Sequence, residues 1–553
     1  MGGGPRRGRR VRGPPAGRVA RHPGTLTTPG LRKLARQTFG FERLRPGQEE
    51  AIRAVAGGRD TLAVLPTGAG KSAIYQLAAL IIPGPTVVVS PLIALQRDQV
   101  SALLASGVDA AEANSHVKAA DRRHAFDDLI AGDLEFLFLA PEQLANPDVL
   151  AQTVAARPSL LVVDEAHCIS SWGHDFRPDY LRLAEFADAL GRPPILALTA
   201  TAAPPVRAEI IDRLGLRDPL VVARGFDRPN ISLAVGRFTD PDAKRRALLD
   251  RVAERAGRDG TGIVYVATRR TAEEVVAALV DRGVRAAAYH AGLPAARRRQ
   301  VEAAFAGDDV DVVVATTAFG MGIDKADVRY VFHHDVADSL DSYYQEIGRA
   351  GRDAQPAEAV LFYRPEDLGL RRFFAGGGGV SADDVRAVAE AMEELNGEPA
   401  VDRLAERTGL SRGRVTAALT LLDDGEPGEA PEEAAERAGE EREARAKVQQ
   451  SRVEMVRAYA EARGCRRKVL LGYFGEPLDQ PCGNCDRCAA GGDTSGDGER
   501  VPFPVDSRVR HQIWGGGQVM GVDGGTLTVF FDSVGYKTLA LDLVEAGDLL
   551  SPE

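Results

Sequence analysis

Between residues 31 and 222 the chain alternates short apolar runs with longer stretches in which apolar positions recur every three or four residues. The runs at 60–65, 86–90, 134–139, 160–163 and 195–199 read as buried strands, and the stretches between them as crossover helices. That alternation predicts an α/β unit built on a parallel sheet. After a connector at 224–230 a second series begins, with strands expected at 262–266, 286–289, 312–315, 330–333 and 359–363. Two α/β units in tandem would enclose a cleft. Beyond residue 379 the pattern turns helical. LAERTGLSRGRVTAALTLL (404–422), with Gly409 at the turn, suits a helix-turn-helix, and a plain helical connector fits the same spacing. Nine carboxylates with a single arginine between 423 and 441 predict a solvated, flexible linker. After a second linker, GGDTSGDGE, short alternating runs punctuated by glycine at 508–543 predict a small five-stranded β-barrel. The expected divisions are a tail at 1–30, α/β units at 31–225 and 226–370, a helical region with acidic linker at 371–450, a cysteine-bearing module at 451–490, and the barrel at 500–553.

Length and charge refine this picture. At 553 residues the chain exceeds one ordinary core, given roughly 150 residues per domain. A formal charge of −10 does not mark a dedicated nucleic-acid binder, yet a basic groove can coexist with an acidic surface elsewhere. The longest uncharged run, 25 residues at 72–96, is broken by Pro83, Gly84, Pro85 and Pro91, so no transmembrane helix and no membrane partner are expected. Residues 1–30 carry seven arginines and no carboxylate, which predicts a disordered tail; by charge alone it could also tether DNA. The tail lacks the apolar core of a secretory signal, which points to the cytoplasm, at the nucleoid if the source is bacterial. Cysteines there stay reduced, and four of the five cluster late in the chain, favouring a metal over disulfides.

LPTGAGKS (65–72) follows a strand and opens a helix. In that context Thr67, Gly68, Ala69 and Gly70 would turn successive N–H groups toward a polyphosphate, with Lys71 reaching its outer phosphates and Ser72 facing Mg²⁺. The first glycine of the usual pattern is replaced by Leu65. LLVVDEAH then delivers two carboxylates to the end of a buried strand. Asp164 would hold Mg²⁺ and Glu165 would polarise an attacking water. In YYQEIGRAGRD, Gln345, Arg349 and Arg352 recur on one side of an expected helix, and arginines brought across a cleft would stabilise charge on a transferred phosphate. Cys465, Cys482, Cys485 and Cys488, with 16, 2 and 2 residues between them, supply four thiolates for a closed, structural Zn²⁺ site. Cys168 is left over as a buried residue.

The series FGFERLRPGQEEAI, LPTGAGKS, VVVSPLIALQRDQV, LAPE, DEAH, ALTATA, GIVYVATRR, AYHAGL, VVVATTAFGMGIDKADVRYVFHH and SYYQEIGRAGRD resembles the motif set of superfamily 2 helicases over 31–363. CISSWGHDFRPDY, after DEAH, resembles the aromatic-rich loop of RecQ DNA helicases and distinguishes the chain from DEAH-type RNA helicases. The cysteine module, with its Arg466, Arg467 and Lys468, resembles the RecQ zinc module. The resemblance implies two RecA-like domains, ATP as fuel, and 3′-to-5′ unwinding of single-strand-tailed, branched or duplex DNA in repair and recombination. It implies that Arg45 and Gln48 read adenine and that His167 and Gln345 couple hydrolysis to DNA. Trp172, His174, Phe176 and Arg177 would contact single-stranded DNA. Two rival readings keep the motor but give it another use, either as a translocase or annealing factor that does not unwind or as a polymerase-recruited DNA clamp.

The family commonly adds a winged-helix domain and often an HRDC domain, but only 65 residues follow Cys488. Strand separation by a wing is therefore not expected, and the upstream helix-turn-helix is the candidate substitute. The final segment is similar to the Tudor-like barrel ending UvrD/PcrA-type helicases, which leaves three readings: a protein partner such as RNA polymerase, a DNA contact, or a stabilising appendage.

Overall fold

The computed structural model describes residues 27–553 except 115, 171–175, 258–259, 318, 320–324, 378–379, 396–399, 424–429, 492–502, 506, 524 and 548. The expectations for residues 1–26, for Trp172 and His174, and for the glycine-rich linker at 492–500 lie outside the described residues.

The first unit is a seven-stranded parallel sheet, β1 (Thr61–Val64), β2 (Thr86–Val89), β3 (Ala110–Ala113), β4 (Phe136–Leu139), β5 (Leu160–Val163), β6 (Ile195–Thr199) and β7 (Leu220–Ala223), in the order β3-β4-β2-β5-β6-β1-β7. Strands β1, β2, β4, β5 and β6 are buried along their whole length, which is why they read as unbroken apolar runs. The second unit is a six-stranded parallel sheet, β8 (Ile231–Arg237), β9 (Thr261–Tyr265), β10 (Ala286–Tyr289), β11 (Val312–Ala315), β12 (Val328–His333) and β13 (Ala357–Tyr363), ordered β10-β11-β9-β12-β13-β8. The expected series omits β3, β7 and β8. All three are edge strands, covered on fewer sides and interrupted by half-exposed positions.

Two expectations of disorder need correction. The first helix, Thr28–Phe39, begins inside the tail expected to be disordered at 1–30: the Thr27 side chain accepts from Gly30 N, Pro29 occupies the first turn, and Leu31, Leu34 and Ala35 are buried. The acidic stretch is not a loose linker beyond residue 430 but the start of a 31-residue helix, Pro431–Glu461. Pro431 opens that helix, Glu432 and Glu433 suit its positive N-terminal end, and Ala434 and Ala438 are buried against its neighbours. Counting charges alone overlooks these alanines.

At 404–422 two helices, Val401–Thr408 and Arg412–Asp423, flank a turn, with Gly409 at φ +71° ending the first, an arrangement that suits a helix-turn-helix and a helical connector alike. It packs with Ala382–Glu394 and the start of the long helix around Val385, Val388, Leu404, Val415 and Leu421. The C-terminal strands β14 (Arg508–His511), β15 (Gly515–Asp523), β16 (Thr526–Phe531), β17 (Gly535–Ala540) and β18 (Leu550–Pro552) form a five-stranded antiparallel sheet ordered β17-β16-β15-β14-β18. The expected strand count is found, but among the described residues β17 and β18 are not paired, so the sheet is not the closed barrel expected at 508–543. No helix among the described residues is long and apolar enough to cross a membrane.

Candidate active site and metal centre

In the first sheet β5, β6 and β1 are neighbours, so the loops leaving their carboxyl ends converge. The loop after β1 turns through Gly68 (φ +78°) and Gly70 (φ +74°), a left-handed backbone that glycine adopts at no steric cost, into the helix Lys71–Ile81. A Cβ at Gly70 would lie 2.8 Å from Gln48 Nε2, so a side chain there would displace the Gln48 amide from the loop. Gln48 is buried and donates from Nε2 to the carbonyls of Ala69 and Gly70, both at 2.8 Å, while Arg45 Nη1 donates to the Gly68 carbonyl. These two residues thus bear on the phosphate loop itself. Lys71 Nζ donates to the carbonyl of Leu65 at 3.3 Å, bent back over the loop.

Asp164 leaves the end of β5 beside Ser90, whose hydroxyl donates to Oδ2 at 3.4 Å, and Tyr180 holds the Asp164 carbonyl at 2.9 Å. Burial, and then the adjacent Glu165 carboxylate, push the Asp164 carboxyl up to about 7 against the pull of Lys71. Glu165 sits at φ +48°, a conformation that costs a non-glycine residue about 1–3 kcal/mol and gathers at functional sites. Its Oε2 is buried and makes no hydrogen bond, meeting His167 Nδ1 only as a polar contact at 3.3 Å. Two crowded carboxylates, a lysine and a helix N-terminus fit a Mg²⁺–nucleotide complex: the cation would compensate Asp164 and Glu165, and the phosphates would meet Lys71, Ser72 and the loop N–H groups.

A polar chain runs from this site to the second unit. His167 Nδ1 lies 3.3 Å from Glu165 Oε2 and 2.8 Å from Thr199 Oγ1. Thr199 Oγ1 donates to the Thr201 carbonyl at 3.0 Å, and Gln345 Nε2 donates across the cleft to Thr201 Oγ1 at 3.0 Å. Gln345 lies on the helix Leu340–Ile347. Just beyond that helix Arg349 is buried and hydrogen-bonds Tyr265, and Arg352 reaches the phosphate loop, its Cγ 3.7 Å from where a Cβ at Gly68 would stand. Thr199 and Thr201 belong to the run ALTATA but do not stand out within it; two threonines straight after a buried strand are the available signal. Arg228 carries no sequence signal of its own, yet it binds the carbonyls of Gly348, Ala350 and Gly351 and so fixes the loop between the two arginines.

In the aromatic-rich loop, Arg177 donates its N–H to the Cys168 carbonyl at 2.8 Å and Nη1 to the Pro91 carbonyl at 3.4 Å, and Phe176 is half-buried. Cys168 is buried, as expected.

The sulfurs of Cys465, Cys482, Cys485 and Cys488 all lie within 4.8 Å of one another. Tetrahedral Zn–S bonds of about 2.3 Å need sulfurs about 3.8 Å apart, so this set closes on a zinc ion with small adjustment. Backbone N–H groups of Cys482, Asn484 and Cys488 donate to the sulfurs of Cys465, Cys482 and Cys485 and fix their positions. Arg466, 1% exposed, binds both oxygens of Asp486 at 3.1 and 3.2 Å and the Tyr459 carbonyl at 2.6 Å, tying the metal loop to the helix preceding it. The module docks on the free edge of the second sheet: Leu233 N donates to Asn484 O, and Val235 N to Asp486 Oδ2, both at 3.3 Å. Beside it Glu476 accepts from the N–H groups of Gly225 and Phe226, and Phe474 stacks on Phe226 at 4.9 Å, so the module grips the connector between the two α/β units.

The helix-turn-helix presents a different surface. Residues 380–441 hold 17 carboxylates against six arginines, a surplus as large as the net −10 of the whole chain. Arg386, Arg407, Arg412 and Arg414 pair with Asp383, Glu394, Asp402 and Asp384 of the same module at 2.5–3.2 Å.

Residues 45–209 match the family model of DEAD/DEAH box helicases, 243–354 the helicase conserved C-terminal domain, and 429–489 the RecQ zinc-binding domain. The chain is 39% identical over 452 residues to the ATP-dependent DNA helicase RecQ of Pasteurella multocida, covering 81% of this chain and 61% of that protein. It is 35% identical over 464 residues to the probable ATP-dependent DNA helicase RecS of Bacillus subtilis, covering 83% and 91%. The chain therefore spans about six-tenths of the Pasteurella relative and nearly all of the Bacillus one. Among solved structures, the DUF1998 helicase MrfA bound to DNA has the same fold of paired domains, with TM-score 0.52 at 19% identity over 64% of this chain and 50% of that one. Together with the four-cysteine cluster on the edge of the second sheet, these matches show that the chain belongs to the RecQ family of superfamily 2 helicases.

Proposed function

We propose that this chain is an ATP-dependent DNA helicase moving 3′ to 5′, acting on single-strand-tailed and branched DNA in repair and recombination, in the cytoplasm at the nucleoid. The observation that carries this reading is the polar chain from Glu165 through His167, Thr199 and Thr201 to Gln345, with Arg352 beside the phosphate loop. It joins the hydrolytic carboxylate to the opposite domain, which a motor requires and a simple nucleotide-binding protein does not. In the proposed cycle ATP lies on the loop 67–72, Arg45 and Gln48 bear on its base, and Lys71 holds its outer phosphates. Mg²⁺, held through Asp164 and Ser72, would neutralise phosphate charge. Glu165 orients the attacking water and takes up its proton as the bond forms, while Arg349 and Arg352 stabilise charge on the transferred phosphate. Closure and reopening of the cleft alternate the grip of the two domains on DNA. Trp172, His174, Phe176 and Arg177 fit the strand-contacting role, by stacking and phosphate contact.

The names of the relatives, DNA helicases of the RecQ type, support the same activity for this chain. A DNA-stimulated translocase that does not separate strands is the second reading. It is favoured by the acidic, internally paired helix-turn-helix, which makes a poor substitute for a duplex-binding wing. A protein partner on the C-terminal sheet, such as RNA polymerase, belongs with that reading. ATP hydrolysis measured with and without single-stranded DNA tests both: stimulation of about tenfold or more, lost in Glu165→Gln, is expected, and a DNA-independent rate would sink the motor assignment.

A further inference from the structure

The C-terminal sheet has two apolar faces with different partners. Val509, Val519, Leu527 and Val529 close on one another as its own core. Met520, Phe530 and Tyr536 instead join the main core shared with the second α/β unit and the zinc module. Tyr536 is 5% exposed, its ring 4.9 Å from Phe530 and 5.4 Å from Tyr473 of the helix Arg466–Tyr473. The Tyr473 hydroxyl donates to Asp341 Oδ2 at 2.5 Å, and Arg452 Nη2 stands 3.6 Å from the same oxygen. Asp341 and Arg452 are both about 2% exposed, so the pair is held out of water, where it survives only if its charges are matched and hydrogen-bonded. Tyr473 supplies that bond and Tyr536 covers it.

Asp341 lies in the first turn of the helix Leu340–Ile347, where a carboxylate suits the positive end of the dipole. The same helix carries Gln345, and Arg349 and Arg352 follow it. Its other contacts point the same way: Tyr343 meets Tyr459 hydroxyl to hydroxyl at 3.3 Å, and Tyr344 donates to the Phe226 carbonyl at 2.7 Å. One side of the helix is thus pinned by the zinc module, and the C-terminal sheet roofs the charged member of that set.

We infer that the C-terminal sheet is a fixed part of the motor and that Tyr536 is a positioning residue for ATP hydrolysis, holding through Tyr473, Asp341 and Arg452 the helix that carries Gln345 to Thr201 and leads into Arg349 and, beside the phosphate loop, Arg352. The inference rests on the roles proposed above for those three residues. Opening the roof admits water to the ion pair and slackens the first turn of the helix. A displacement near 1 Å at a reacting group can cost on the order of a hundredfold in rate. Nucleotide affinity depends mainly on the first domain and is left alone.

The test is steady-state ATP hydrolysis by the full chain with saturating single-stranded DNA, comparing Tyr536→Ala, Tyr536→Phe and Tyr473→Phe, each with zinc content and thermal midpoint measured. Tyr536→Ala should lower kcat about tenfold with KM for ATP within about twofold of native, and Tyr536→Phe, which keeps the covering ring but loses the hydroxyl bonded to Tyr473, should recover kcat to within about threefold of native. Tyr473→Phe removes the hydroxyl that binds Asp341 and meets Tyr536 while keeping the ring, and should lower kcat several-fold, which keeps the test alive if the alanine variant does not fold. Folded, zinc-loaded Tyr536→Ala or Tyr473→Phe with native kcat overturns the inference, as does a loss confined to KM. A native chain without DNA-stimulated hydrolysis would instead overturn the active-site reading, and the inference with it.

Discussion

Two arginine-bearing regions of this molecule put the same side chain to opposite uses. Around the helix Leu340–Ile347, Arg352 reaches the phosphate loop and Arg349 is buried against Tyr265, with the backbone between them fixed by Arg228. In the helix-turn-helix, Arg407, Arg412 and Arg414 are exposed, yet each is engaged by a carboxylate of its own module. Arginine content alone therefore says little about where phosphate is bound; what matters is where the fold carries each arginine, beside the phosphate loop for Arg352 and on an acidic module for Arg407, Arg412 and Arg414.

The comparison predicts a steep gradient of effects. At the top, Arg352→Ala should lower kcat for ATP hydrolysis by about a thousandfold, read by phosphate release, as loss of an arginine finger does in other phosphoryl-transfer enzymes. A change under tenfold would remove Arg352 from the reaction. Next, Cys485→Ser should abolish retained zinc, measured by metal analysis, and with it the docking on β8, since structural zinc contributes about 10 kcal/mol or more to its module. Stable folding with zinc absent would mean that the hydrogen bonds of Arg466 and Asp486 hold the module alone. Gln345→Ala should leave DNA-free hydrolysis near native and cut its stimulation by DNA about tenfold, because it breaks the cross-cleft link to Thr201 and leaves Lys71 and Glu165 in place. At the bottom, Arg412→Ala with Arg414→Ala should change DNA affinity less than about twofold by fluorescence anisotropy, exposed pairs being worth about 0–1 kcal/mol. A tenfold loss would return the helix-turn-helix to the DNA-binding surface.

Sequence exposes some parts of this architecture more readily than others, for physical reasons. The interior strands β1, β2, β5 and β6 are buried on both faces and read as continuous apolar runs, whereas the edge strands β3 and β8 mix small and half-exposed residues and escape the pattern; β7, LVVA, is as apolar as the interior strands and lies just past the expected series. The phosphate loop, the Asp164–Glu165 pair and the four cysteines are legible because each chemistry demands fixed residue types at short spacing. The links between them are not. Gln345 to Thr201, Tyr473 to Asp341 and Glu476 to Phe226 join residues more than 100 positions apart, and no local pattern records them. The acidic stretch at 423–441 misleads because carboxylates on one side of a helix hide Ala434 and Ala438 on the other. The C-terminal sheet reads in sequence as a tethered module, since the outward face that docks it, Met520, Phe530 and Tyr536, looks like ordinary strand alternation.

The central claim is that hydrolysis in this cleft drives strand separation, and the direct measurement is displacement from duplexes bearing a 3′ or a 5′ single-stranded tail, with ATP and Mg²⁺, by the native chain, Lys71→Ala and Glu165→Gln. The account predicts displacement from the 3′-tailed duplex only, absent in both variants. DNA-stimulated hydrolysis without displacement from either duplex would contradict it and leave a translocase.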